Sequence, residues 1–228
     1  MTRLRRHADV LLALTVGAVF AAWPCLDLAL AGMFYFPEQG FRIGYAGWIR
    51  LIYTVLAKLW ILAFVWILLL LWGSLPGFGR RFAPQRRPVA YLLAVLVLGP
   101  GLLVNTVLKD NWGRPRPVHL AQFGGTAQFT PMLRPSNQCP RNCSFVSGHA
   151  AAGFYPMAGF WLTRRRRWLA AGIASGLVVG FARMAMGAHF LSDVLFAGIC
   201  VWFTCRLMAW AFRLNGGAAT LCRADVER

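Results

Sequence analysis

The chain has 228 residues, of which 58% are hydrophobic and 14% charged, and its formal net charge is +17 at pH 7. A soluble domain carries about a quarter charged residues, whereas apolar runs near or beyond about eighteen residues recur here, the mark of membrane-spanning helices. This excludes an ordinary soluble enzyme and turns the basic excess towards membrane orientation and anion binding, with no nucleic acid as partner.

Hydropathy predicts an all-α integral membrane bundle of six transmembrane helices, at roughly 9–35, 48–73, 88–108, 148–163, 168–187 and 189–212. The first follows "TRLRRH", as a signal peptide would. Its apolar run is too long for an h-region and lacks a cleavage site, so it reads as a retained helix. Asp27 in helix one and Lys58 in helix two lie roughly 12 to 15 Å from the outer ends of their helices, at about 1.5 Å per residue. Charges at that depth pair, and an Asp27–Lys58 contact is expected. "GRRFAPQRR" (79–87) joins helices two and three, and "RRRR" (164–167) joins four and five. With the N-terminal arginines and Arg206, Arg213, Arg223 and Arg228, these clusters fall on one side if the helices alternate. The positive-inside rule makes that side the cytoplasm and puts both termini there.

The opposite side receives 36–47, the long 109–147 connection and the corner near 183–189. "KDNWGRPRP" (109–117) opens the long connection with three cations against the orientation trend, so orientation does not explain them. Pro115 and Pro117 stiffen it and restrict the residues before them. Cys139 and Cys143 share a polar loop, where a short-range disulfide is plausible on an extracytoplasmic side. Cys25, Cys200 and Cys205 lie in apolar runs and Cys222 in the tail; no metal site is expected, because no further ligands stand near the loop pair. Gly172, Gly176 and Gly180 form a smooth ridge on helix five for close approach of another helix. One domain over 1–228 is expected, since the helices have no other core to join.

Of four histidines, His7 lies in the basic N-terminus and His119 in the long connection without an evident partner. His189 and Asp193 differ by four residues and share one helix face. A carboxylate bonded to one ring nitrogen fixes the tautomer and raises the basicity of the other, which suits an activated nucleophile. A His–Asp pair that only satisfies itself is the alternative, at odds with the cost of ionisable groups at a membrane helix end. Ser147 is a natural N-cap before Gly148 and His149, and unpaired N–H groups there make an anion site. The start of helix six offers a second. Lys109, Arg114, Arg116 and Arg183 join them, and phosphate is the anion that suits arginine forks and a lysine point charge.

These residues resemble the three signatures of the type 2 phosphatidic acid phosphatase superfamily. Lys109, six residues, then Arg116-Pro117 is similar to the first. "VSGH" (146–149) resembles the second, with Val146 where proline is usual. Arg183, five residues, His189, three residues and Asp193 resemble the third, with Ala182 where serine is usual. The resemblance implies a membrane lipid phosphatase that needs no metal or cofactor. His189 would attack phosphorus to form a phosphohistidine, oriented by Asp193, and His149 would protonate the leaving oxygen and then activate water. Lys109, Arg116 and Arg183, with backbone N–H groups near Ser147 and Gly148, would hold the phosphoryl charge. Arg114, outside the family pattern, would meet the headgroup, as would Arg134 and Arg141.

A site at the outer membrane boundary meets lipid phosphates by lateral diffusion, with the bacterial inner membrane as location and the periplasm as the facing compartment. Lipid A phosphates, undecaprenyl pyrophosphate, phosphatidylglycerophosphate and phosphatidic acid are all candidate substrates. The stretch 123–150 is most similar to the branch acting on lipid A. The rival is a phosphate-lipid binder or transporter on the same scaffold; a missing catalytic position would favour it, and none is missing.

Overall fold

The computed structural model describes residues 7–73 and 86–214. Among the described residues the chain is all-helical, and its only bridges are isolated, Phe36 with Gly40 and Leu120 with Ala127. The segment expected as helix one is two helices, α1 (Ala8–Ala22) and α2 (Cys25–Gly32), bent by 83°. Pro24 explains the break, because it lacks an N–H and its ring collides with the carbonyl four residues earlier. α3 is Gly47–Gly73. α4 runs Arg86–Asn111. Its middle, Val97–Leu108, is wound as π-helix around Pro100, whose missing donor disturbs the regular ladder.

The segment expected as helix four is also interrupted. α5 (Gly148–Phe154) passes through a 3-10 turn, Tyr155–Ala158, into α6 (Gly159–Thr163), and Pro156 sits in that turn. α7 (Arg167–Ala185) and α8 (Leu191–Ala211) are regular. Among the described residues, Arg86–Asn111, α7 and α8 are long and apolar enough to cross a membrane, and the bent α1–α2 pair makes a fourth if it counts as one span.

The glycine ridge is where α7 meets its neighbours. A Cβ on Gly172 would lie 2.6 Å from the Met157 nitrogen, one on Gly176 2.4 Å from the Phe154 ring, and one on Gly180 2.3 Å from Val194. Inside the bundle, Tyr91, Val95, Phe154, Val194 and Val201 are buried together. Its outside is apolar as well: Leu14, Leu62, Trp66, Leu69 and Ile173 are exposed. Side chains of this kind on the outer surface suit hydrocarbon rather than water.

The 112–147 connection folds over one end of the bundle. Gly113 has φ +68°, and a Cβ there would collide with the Ser136 carbonyl, so only glycine makes this turn. Trp112 Nε1 donates to the Met132 carbonyl at 2.6 Å, and Val118 N donates to the Gly187 carbonyl at 2.9 Å. The second bond ties the connection to the α7–α8 corner. The Phe145–Val146 peptide is cis.

Candidate active site

Four segments deliver the site: the end of α4, the connection, the start of α5, and the α7–α8 corner. Lys109 is buried in the last turn of α4. Its carbonyl accepts from Cys143 N at 3.2 Å, which brings the start of the connection against its end. Ser147 caps α5, its side chain accepting from Ala150 N at 3.4 Å. Gly148 must be glycine because a Cβ would stand 2.2 Å from Asn105 Oδ1 of α4.

His189 is fully buried at the corner before α8. Its Nδ1 donates to the Ser144 carbonyl at 2.8 Å, while Asp193 Oδ2 stands 3.6 Å from the same nitrogen. The shorter contact decides the tautomer: the proton sits on Nδ1. The carboxylate was expected to bond the ring directly; here it stands 3.6 Å from the nitrogen whose hydrogen bond the Ser144 carbonyl accepts. His189 Nε2 is buried and has no hydrogen-bond partner among the described residues, which is what a nucleophile with a free lone pair requires. Burial lowers the imidazole to about 4; Asp193 opposes this, and Lys109 and Arg183 add to it. The ring is therefore neutral at ordinary pH.

Asp193 is held on every side. Its Oδ1 accepts from Arg114 Nη1 at 2.6 Å, and its Oδ2 accepts from Phe190 N at 2.8 Å and from the Ser144 hydroxyl. Arg114 is fully buried. Nη1 also donates to Ser192 Oγ at 2.9 Å, Nη2 to Asp27 Oδ2 at 2.8 Å, and Nε to the Thr130 carbonyl at 2.8 Å. Its guanidinium lies over the Phe190 ring, 4.1 Å from the centroid. Arg114 therefore does not reach a headgroup, contrary to expectation, because two buried carboxylates and two oxygens engage its donors. Asp27 is likewise engaged, by Arg114, by Ser192 N at 3.0 Å and by the Ser192 hydroxyl. The Lys58 side chain expected opposite it lies outside the described residues.

Two further expectations change with these bonds. Ser147 N donates to the Asp193 carbonyl at 3.2 Å, so it is not open to a ligand. The start of α8 is not a second anion site, since its N–H groups at Phe190 and Ser192 meet Asp193 and Asp27. The first-turn N–H groups of Gly148 and His149, at the start of α5, stay candidates.

Arg116 and Arg183 line a cavity of about 320 Å³ together with Arg50, Val118, Met186 and Ala188, the residue before His189. Arg116 Nη2 donates to the Asn142 carbonyl at 2.8 Å, and Asn142 N donates to Asp110 Oδ1 at 3.1 Å. Asn142 stands inside the ring closed by the Cys139–Cys143 disulfide, so this short loop steadies Arg116. Lys109, Arg116, Arg183, His149 and His189 are close enough for their charges to act on one another. Arg134 is exposed on the connection, and Arg141, also exposed, lies 3.7 Å from Asp110. His7 and His119 are exposed. A larger cavity, about 380 Å³, between α1 and α8 has apolar walls and carries no comparable chemistry. Reading the sequence did not reveal the parts of Ser144, Ser192, Asn142 and Arg50.

Such a site can hold a phosphate and offer it a neutral imidazole. Comparison with known proteins points the same way. Residues 88–216 match the family model described as the PAP2 superfamily. The chain is 40% identical over 191 residues to the lipid A 4'-phosphatase of Francisella tularensis subsp. novicida (strain U112), covering 81% of this chain and 85% of that protein. It is 32% identical over 194 residues to the lipid A 4'-phosphatase of Rhizobium leguminosarum, covering 78% and 83%. Similarity to phosphatidylglycerophosphatase B of Bacillus subtilis (strain 168) is 33% over 115 residues, 46% of this chain and 49% of that one. No solved structure matches.

Proposed function

Since the chain belongs to the PAP2 superfamily and is a membrane lipid phosphatase, we propose that it removes the 4'-phosphate of lipid A through a phosphohistidine on His189. The observation that carries this mechanism is the His189 ring, with Nδ1 held by Ser144 and Nε2 buried without a partner among the described residues, while Ala188 next to it in the chain lines a cavity with Arg116 and Arg183. Lys109, Arg116 and Arg183 bind the phosphoryl oxygens, with the N–H groups of Gly148 and His149. Nε2 attacks phosphorus, the bond from phosphorus to the lipid oxygen breaks, and His149 gives that oxygen its proton. His149 then takes a proton from water, the water oxygen attacks phosphorus, and the phosphorus–nitrogen bond breaks to release phosphate. During the first step His189 becomes cationic, and the charge of Asp193, locked by Arg114, offsets it. No metal or cofactor takes part in these steps.

The choice of substrate rests on coverage. Similarity to the lipid A 4'-phosphatases spans about four fifths of the chain, whereas similarity to phosphatidylglycerophosphatase B spans under half. Arg134 and Arg141, both exposed on the connection, meet the headgroup in this reading. The proposed topology is one unit over 1–228 in the bacterial inner membrane, with six spans and both termini cytoplasmic. The site then faces the periplasm. Two features support that orientation: Arg164, Arg165 and Arg166 lie between α6 and α7, away from the site, and the disulfide lies beside the site, as an oxidising compartment favours.

The test uses detergent-solubilised protein, a chelator and lipid A bearing both phosphates. Released phosphate and a product lacking only the 4'-phosphate by mass spectrometry are expected, with neither from His189→Ala. A product lacking another phosphate rejects the position, and activity in His189→Ala rejects the nucleophile.

A further inference from the structure

Among the described residues, the cavity lined by Ala188, the residue before His189, has three guanidiniums in its wall, and only two belong to the signature residues. The third, Arg50, comes from α3, outside the 88–216 region that defines the family. Its position is set by close packing. Just before α3, Gly44 lies against the end of α7, where a Cβ would stand 2.6 Å from Met186 Cα and 2.9 Å from the Ala185 carbonyl. Ile49 is fully buried against Ala182 and Ala185. The first turns of α3 are thus seated on the stretch of α7 that carries Arg183, and Arg50, next to Ile49, opens into the shared cavity.

Among the described residues, no acid lines this cavity. The nearby carboxylates of Asp27 and Asp193 are both engaged by Arg114. A phosphomonoester brings a charge of about −1.5 to −2 near neutral pH, which Lys109, Arg116 and Arg183 already balance. The cavity is also larger than one phosphate group requires. Arg50 is therefore a surplus donor at the wall, and its fork suits oxygen acceptors beside the phosphate.

We propose that Arg50 binds the headgroup that bears the scissile phosphate, donating to the hydroxyl or ester oxygens on the alcohol side, and so distinguishes a lipid headgroup phosphate from free phosphate. This rests on the functional reading above. Arg50 is a binding residue for the leaving group and takes no part in proton transfer.

The test compares two quantities in one assay: kcat/KM for the lipid phosphate, and Ki for inorganic phosphate as a competitive inhibitor. In Arg50→Ala the first falls about tenfold, the loss of one good charged hydrogen bond, while Ki rises less than about threefold. Arg116→Ala weakens both. Arg50→Lys recovers part of the lipid term. If Arg50→Ala melts below the parent protein, Arg50→Gln, which keeps the apolar stem, is measured instead. An equal loss in both quantities makes Arg50 another phosphate clamp and overturns the proposal; no loss in either overturns it too. A parent protein that releases no phosphate from lipid overturns the functional reading itself, an outcome distinct from a change confined to Arg50 variants.

Discussion

Arg114 and Arg116 are two residues apart, carry the same charge, and end in opposite surroundings. Arg114 is sealed between Asp27 and Asp193 with its donors engaged. Arg116 reaches a cavity whose wall, among the described residues, holds other arginines and no acid. The first arginine is locked between carboxylates, and the second, though it donates to the Asn142 carbonyl, lines a cavity. Charge alone does not tell a structural cation from a binding one; the carboxylates around it do.

The largest effect that could break this contrast is on stability. Arg114→Ala leaves two buried carboxylates facing each other, and a loss of about 3–5 kcal/mol is expected, read as a lower melting temperature in detergent. Adding Asp27→Asn recovers part of it. An Arg114→Ala protein that melts like the parent would place Arg114 in the binding class instead.

Arg116→Ala should do the reverse. Its kcat/KM falls about 10²- to 10³-fold, as for loss of one donor to developing charge, while stability stays within about 1 kcal/mol. A large drop in melting temperature with little change in rate would erase the distinction.

A smaller effect concerns pH. His189 is lowered by burial from 6.5 to about 4. The rate limb that belongs to this ring should therefore appear near pH 4, with about a tenfold loss per unit below it. Stability has its own sign. Below 6.5 the unfolded chain binds a proton that the folded ring refuses until about 4, so stability falls as pH falls through that window. Melting curves of the parent and His189→Gln should diverge in slope there; identical slopes would place the ring in a wetter environment.

The smallest effect sharpens the picture of Arg116. Replacing Cys139 and Cys143 with serine frees the loop that carries Asn142, and KM should rise about fivefold, near the net value of one hydrogen bond. An unchanged KM would mean the loop holds Arg116 without its cross-link.

Much of this was legible in the sequence. The spacing of Lys109 to Arg116 and of Arg183 to His189 and Asp193 identified the groups that converge, and Gly172, Gly176 and Gly180 marked the packing ridge. The fate of Arg114 was not legible, because it depends on Asp27, 87 residues away. Asp27 announced itself as a deep charge in need of a partner, but helical depth alone does not say which cation arrives. The bend at Pro24 had a visible cause, yet the hydrophobic run continues across it and hides the break. Arg50 had a signal too: it breaks the positive-inside trend, as "KDNWGRPRP" does, on the side expected to face outwards.

The central claim is that His189 Nε2 takes the phosphoryl group. Its most direct test mixes the protein with lipid A carrying radioactive phosphate at the 4' position, with chelator present, and quenches within one turnover. An acid-labile, alkali-stable label on the peptide containing His189, absent from His189→Ala and prolonged in His149→Ala, is the expected result. Phosphate release at full rate with no label on His189 at any quench time would contradict the account.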